Sequence, residues 1–146
     1  MVSDNFGFDT WMFYWVTQVA SLYESKLEIK LKKEGLDIPS YRVLMLLGRR
    51  DGLRVTYLAE QSITKQSTMT RIIHRMRDKG LVTIRPGDED ARVTNVFVTK
   101  KGQAARKSGW EAAQSIMQAV ETNVSKKDSE KLLRSLSAIH ETLRDI

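Results

Sequence analysis

The sequence has no cysteine, two histidines and two prolines in 146 residues. The missing cysteine excludes disulfides, thiolate metal ligands and thiol-based redox sensing. Two isolated histidines, His74 and His140, make no metal site and no base beside a nucleophile. No metal and no cofactor are expected. Without a glycine-rich phosphate loop or a catalytic constellation, an enzyme is not expected either. No apolar run approaches the roughly 18 residues of a membrane span. Residues 1–9 lack a basic segment followed by an apolar run, so no signal peptide is expected. These absences point to a soluble, cytoplasmic protein.

What is present is positive charge, unevenly placed. The net charge is +6, yet residues 48–107 alone hold 14 Lys and Arg against 6 Asp and Glu. That middle segment is therefore +8, and the other 86 residues sum to −2. A basic centre between nearly neutral ends suits a polyanion partner held by one part of the chain. The hydrophobic fraction of 41% is lean for a compact monomer, which suggests that some apolar surface is covered by another subunit.

The pattern along the chain is mainly helical. A long helix is predicted from about Asp9 to Glu34, capped by Asp9 or Thr10 and closed by Gly35. A second runs from about Pro39 to Arg50 behind the cap Asp37. A short helix spans about Val55–Gln61, and another spans about Thr64–Lys79, stopped by Gly80. Residues 81–85 and 94–98 read as strands around a turn-rich tip. Thr99 caps a long helix to about Asn123, and Ser125 caps a last helix. In the last helix Leu132, Leu136, Ile139 and Leu143 follow a 4-3-4 seam that calls for another helix. The expected fold is mainly α with a small β-hairpin wing. A winged helix-turn-helix over 36–99 is flanked by helical dimerisation segments at 9–34 and 100–146.

The helix near 64–79 carries the chemistry. Met69, Ile72, Ile73 and Met76 recur at core spacing, which turns Ser67, Thr70, Arg71, His74 and Arg75 outward. Lys65, Gln66 and Thr68 belong to its first turn. Hydroxyls and an amide suit base edges, and guanidiniums suit guanine or phosphate. No acid interrupts this face before Asp78. On the hairpin, Arg85 and Arg92 flank an acidic tip, where a slender basic loop suits a minor groove. Asp90 lies two residues from Arg92, close enough to hold its guanidinium. A winged helix used for protein or RNA contacts is the rival reading. It would want an apolar or mixed-charge face, whereas this one is basic and polar.

The stretch LAEQSITKQSTMTRIIHRMRDKGLV, residues 58–82, resembles the helix-turn-helix of the MarR family (multiple antibiotic resistance regulators). Leu58-Ala59-Glu60, Ser67-Thr68, Thr70-Arg71 and Lys79-Gly80-Leu81-Val82 match that family's pattern. Asp90-Ala91-Arg92 is similar to its wing motif, and Thr99-Lys100-Lys101-Gly102 to its entry into the next helix. GLDIPSYRVLMLL at 35–47 is similar to its second helix. Ser62-Ile63 departs from a frequent Leu-Gly in the turn, so a different backbone is expected there. Asp37, Ser40 and Val98 are milder departures.

The resemblance implies a triangular homodimer whose terminal helices interlock and whose winged domains bind half-sites of a pseudo-palindrome on double-stranded DNA. It implies a repressor released by a small molecule, often an aromatic or phenolic acid, held among the first, second and fifth helices. Trp11, Tyr14, Trp15, Tyr41 and Arg42 fall in or near those regions, and aromatics with one Arg suit an aromatic carboxylate. The same aromatic stripe equally suits a helix core or a dimer interface.

Overall fold

The computed structural model describes residues 7–146. A 3-10 turn, Phe8–Thr10, precedes α1 (Met12–Lys33) and α2 (Ile38–Arg49). Then come β1 (Leu53–Arg54), α3 (Val55–Gln61), α4 (Gln66–Asp78), β2 (Val82–Pro86) and β3 (Thr94–Val98). The chain ends with α5 (Lys100–Glu121) and α6 (Lys126–Asp145). It divides into two compact units, Met1–Ala113 and Gln114–Ile146, with the boundary inside α5.

The architecture is mainly helical with a small wing, as the sequence pattern predicts. The wing, however, has three strands. Its antiparallel order is β1-β3-β2, because the two residues of β1 pair with β3 at Leu53↔Val96 and Arg54↔Asn95. Opposed residues in register share a sheet face. Leu53, Val96 and Ile84 thus line the inner face, where Leu53 and Val96 are buried. Arg54, Asn95 and Arg85 form a row on the outer face.

The core lies among α2, α3, α4 and the inner face of the wing. Val43, Leu44 and Leu47 of α2, Leu58 of α3, and Met69, Ile73 and Met76 of α4 are fully buried or nearly so. Burying such side chains contributes about 1.5–3 kcal/mol each, which makes this the anchor of the first unit. By contrast α1 buries only Leu27 and Leu31. Its apolar residues Trp15, Val16, Val19, Leu22 and Tyr23 are exposed.

Helix ends explain much of the path. Asp37 caps α2 by accepting the Ser40 N–H at 2.9 Å, and Ser125 caps α6 through the Asp128 N–H. Thr99 Oγ1 accepts the Gly102 N–H at 3.0 Å at the start of α5. The expectation that Asp9 or Thr10 caps α1 fails. The Thr10 hydroxyl donates to the Gly7 carbonyl within the 3-10 turn, and Trp11 occupies the cap position without a side-chain bond.

Three helices end in the same left-handed motif. After α1, the N–H groups of Gly35 and Leu36 bond to the carbonyls of Lys32 and Leu31. After α4, Gly80 and Leu81 bond to Arg77 and Met76 in the same way. After α3, Ile63 and Thr64 repeat the pattern on Glu60 and Ala59. This is the double-bonded cap that glycine usually provides, because a Cβ is penalised there. Ile63 adopts φ +53° against +72° and +76° for the two glycines. The backbone change expected from Ser62-Ile63 is therefore absent. The turn keeps its shape, and a β-branched residue carries the strain.

Candidate nucleic-acid interface

The amphipathic spacing of α4 sets the site. Met69, Ile72, Ile73 and Met76 are the buried residues of α4. Helical geometry at 100° per residue then directs Ser67, Arg71 and His74 away from the core. Lys65, Gln66, Ser67, Arg71, His74 and Arg75 are exposed, and Thr68 and Thr70 are half-buried. Lys65 holds the cap position with no side-chain bond to the helix. The first-turn N–H groups therefore lack a side-chain cap, and a free helix N-terminus favours negative charge. The Thr70 hydroxyl donates to the Gln66 carbonyl at 3.0 Å, which leaves its lone pairs as acceptors.

A cleft of about 270 Å³ separates α4 from the wing. Gln66, Thr70 and His74 line one side as a single helical stripe, with Arg92 and Thr94 opposite and Arg54 and Thr56 at the edge. The structure thus brings three sequence-predicted residues, Gln66, Thr70 and Arg92, to one opening. No carboxylate lines it.

The wing tip is held by its own hydrogen bonds. Asp90 Oδ1 accepts the Arg92 N–H at 3.0 Å and lies 3.4 Å from Arg92 Nε. The Arg92 side chain is 94% exposed. Asp90 shapes the turn and steadies the base of a guanidinium that still faces solvent. Arg85 behaves differently. Its guanidinium carbon stacks 4.2 Å from the centre of the Phe97 ring on the outer face of the wing, a cation–π contact.

Arg75 is already engaged. Its Nη2 donates to Asp37 Oδ2 at 2.7 Å, which links the flank of α4 to the first turn of α2. Asp37 is also shifted. Partial burial would raise its carboxyl, but the Ser40 hydrogen bonds and the charges of Arg75 and Lys79 outweigh this and hold it below its ordinary value. Arg71 has no ion-pair partner among the described residues.

The aromatic set is placed in two groups. Tyr14 and Trp15 meet edge to face at 5.2 Å near the start of α1, and Trp15 Nε1 donates to the Asp9 carbonyl. Trp11 is 61% exposed. Tyr41 is buried on α2 against Gly109 of α5, where a Cβ would stand 2.7 Å from its ring. Arg42 pairs with Glu24 of α1. Trp15 and Glu24 are nine residues apart on α1, about 13 Å along the helix. None of the five lines the cleft above.

Sequence reasoning missed Arg54 and Thr56. Their only signal is non-local, since the pairing of β1 with β3 carries Arg54 to the edge of the cleft. Leu132, Leu136 and Leu143 of α6 are exposed, Ile139 is half-buried, and no residue of that helix is buried.

Comparison with known proteins places the chain among transcriptional regulators. The sequence profile of the MarR family matches residues 36–94. The chain is 31% identical over 144 residues to the HTH-type transcriptional repressor IacR of Pseudomonas putida, covering 99% of this chain and 86% of that one. It is 27% identical over 116 residues to the organic hydroperoxide resistance transcriptional regulator of Bacillus subtilis (strain 168), covering 80% and 76%. Among solved structures, a MarR family transcriptional regulator from Silicibacter pomeroyi superposes with a TM-score of 0.81 at 22% identity, covering 91% and 90%. CouR from Rhodococcus jostii RHA1, bound to p-coumaroyl-CoA, superposes with a TM-score of 0.82 at 16% identity, covering 91% and 94%. Likeness at these identities concerns the fold.

Proposed function

The chain belongs to the MarR family and is a DNA-binding transcriptional regulator, and from that premise we propose that it is a repressor acting as a homodimer on a pseudo-palindromic operator. In this reading residues 36–99 bind DNA, and residues 9–34 with 100–146 make the dimer. Each α4 enters a major groove, with Lys65, Gln66, Ser67, Thr68, Thr70 and Arg71 toward the duplex. Arg92 reaches the adjoining minor groove on a tip shaped by Asp90. Arg85 contributes charge from the stem, and Arg75 orients α4 through Asp37.

One observation carries this reading. Gln66, Thr70 and His74 face Arg92 across an opening without a carboxylate, beside a helix N-terminus with no side-chain cap. Polar edges beside the guanidiniums of Arg54 and the solvent-facing Arg92 in one concavity suit base edges between phosphates.

Dimerisation is supported by apolar faces left uncovered within the chain. Trp11 at the cap of α1, Trp15, Val19 and Leu22 of α1, and Leu132, Leu136 and Leu143 of α6 are exposed. Exposed apolar residues recurring at helical spacing on one helix mark an interface, and two-fold dimers are the commonest assemblies.

The signal in this reading is a small aromatic or phenolic acid. Its carboxylate competes with Glu24 for Arg42, and its ring lies toward the aromatic residues of α1 or Tyr41. Thiol oxidation is unavailable to a chain without cysteine.

Selection of binding sites from random duplex DNA tests the proposal. The enriched sites should be inverted half-sites about one helical turn, 10–10.5 bp, apart. Enrichment of a single asymmetric site, or no enrichment, would contradict it.

A further inference from the structure

A second basic surface adjoins the first and shares only Arg54 with its lining. An open cleft of about 620 Å³ lies between the end of α2, β1 and the outer side of α3. Arg49, Arg50 and Arg54 line it with Tyr57, Gln61 and Asn95. None of the three guanidiniums has an ion-pair partner among the described residues. No carboxylate lines the cleft. Asp51, next in sequence to Arg50, instead accepts the Val98 N–H at 2.9 Å.

The register of the wing explains the clustering. Arg54, Asn95 and Arg85 stand side by side across β1, β3 and β2. Their row lies one residue pair from the wing tip, which begins after Pro86↔Thr94. Arg54 lines both this cleft and the one between α4 and the wing. The two basic openings therefore share Arg54 as a common lining side chain.

Unpaired arginines beside a tyrosine hydroxyl and two amides make a phosphate-contacting surface. Leu46 and Leu53 also line the cleft, but the three arginines, two amides and tyrosine hydroxyl outnumber them, which disfavours a hydrophobic partner. The arginine it shares with the α4 cleft puts the two openings side by side, which selects the ligand: a long polyanion that already occupies the first opening.

We propose that this cleft holds the sugar–phosphate backbone of the same duplex, just outside the base pairs read by α4. Arg49 and Arg50 are its outer contacts, and Arg54 joins it to the groove. The inference rests on the α4 reading above. It adds sequence-independent affinity and a longer footprint.

The test uses the full-length protein and a duplex recovered by selection, prepared in two lengths. One is trimmed to the half-sites, and the other is extended by about one helical turn on each side. Each neutralised phosphate adds about 0.9 to the slope of log affinity against log salt. For wild type the extended duplex should show a slope steeper by about two per subunit. Its advantage over the trimmed duplex should shrink about tenfold per subunit between 50 and 200 mM salt. The variant Arg49→Gln/Arg50→Gln should lose that increment while binding the trimmed duplex as wild type does. Arg49→Lys/Arg50→Lys should restore most of it.

Equal slopes for wild type and the Gln variant on the extended duplex would overturn the proposal. So would saturable binding of inorganic pyrophosphate that the extended duplex fails to displace, since it would give the cleft to a free anion. Failure of the α4 reading has a separate signature: Arg71→Ala would then leave binding to the trimmed duplex unchanged.

Discussion

Arg75 of α4 and Asp37 at the head of α2 meet at 2.7 Å across 38 residues of sequence. Asp37 is also the cap of α2, through the Ser40 N–H. One carboxylate thus terminates one helix and sets the orientation of another. This assigns Arg71 and Arg75 of α4 different tasks: Arg71 has no ion-pair partner among the described residues and is directed outward, whereas Arg75 is a strut.

The division predicts unequal effects on DNA binding. Arg71→Ala should weaken binding to a selected operator by about 1–3 kcal/mol. Arg75→Ala should weaken it by less than about 1 kcal/mol, because an exposed ion pair positions more than it stabilises. Fluorescence anisotropy on the two single variants checks the order. A larger loss for Arg75→Ala would return that residue to the groove.

The Asp37 carboxylate, held first by its Ser40 hydrogen bonds and then by Arg75 and Lys79, makes stability depend on acid. The folded carboxyl of Asp37 is held below its ordinary value of 3.8, so the native state binds fewer protons there than the unfolded state. Its contribution is present above pH 3.8 and is lost as pH falls through the folded value. Asn also caps helices, so Asp37→Asn removes the charge and keeps the cap. Urea midpoints for wild type should exceed those of Asp37→Asn at pH 6, and the gap should close below pH 3.8. A constant gap across that range would remove the charge from the explanation.

Ile63 predicts a gain. Its side chain is 96% exposed, so little packing offsets its φ of +53°. A left-handed residue with a Cβ costs about 1–2 kcal/mol, and glycine returns part of that as entropy in the unfolded chain. Ile63→Gly should stabilise the protein by about 0.5–1 kcal/mol. Thermal melts should rise by a few degrees, and a lower melting temperature would show that Ile63 makes a contact in the assembled protein.

The exposed seam of α6 predicts dependence on a second chain. Removing residues 126–146 should yield monomers or insoluble protein in sedimentation velocity. A soluble dimer from the truncated chain would place the interface elsewhere.

Legibility in the sequence followed the range of each interaction. The core face of α4 was readable because Met69, Ile72, Ile73 and Met76 repeat at the helical period. Gly35, Gly80, Asp37 and Ser125 mark helix ends by local chemistry. Lys65, Gln66 and Thr70 were readable as a consequence of the same period. Strand β1 was not, since two residues show no period and its partner Val96 lies 43 positions away. Arg54 was missed for that reason, and the engagement of Arg75 because Asp37 is remote in sequence. Asp9 and Thr10 are good caps by composition, but a 3-10 turn consumed the Thr10 hydroxyl first. Ser62-Ile63 looked like a change of backbone, yet hydrogen bonds to Glu60 and Ala59 preserve the turn.

The most direct measurement is the affinity of Arg71→Ala/Arg92→Ala for a selected operator, read by anisotropy with folding verified by circular dichroism. The expected loss is roughly 2 kcal/mol or more, about thirtyfold, with a salt slope lower by about one per subunit from Arg92. Wild-type affinity and slope in this variant would contradict DNA recognition by α4 and the wing.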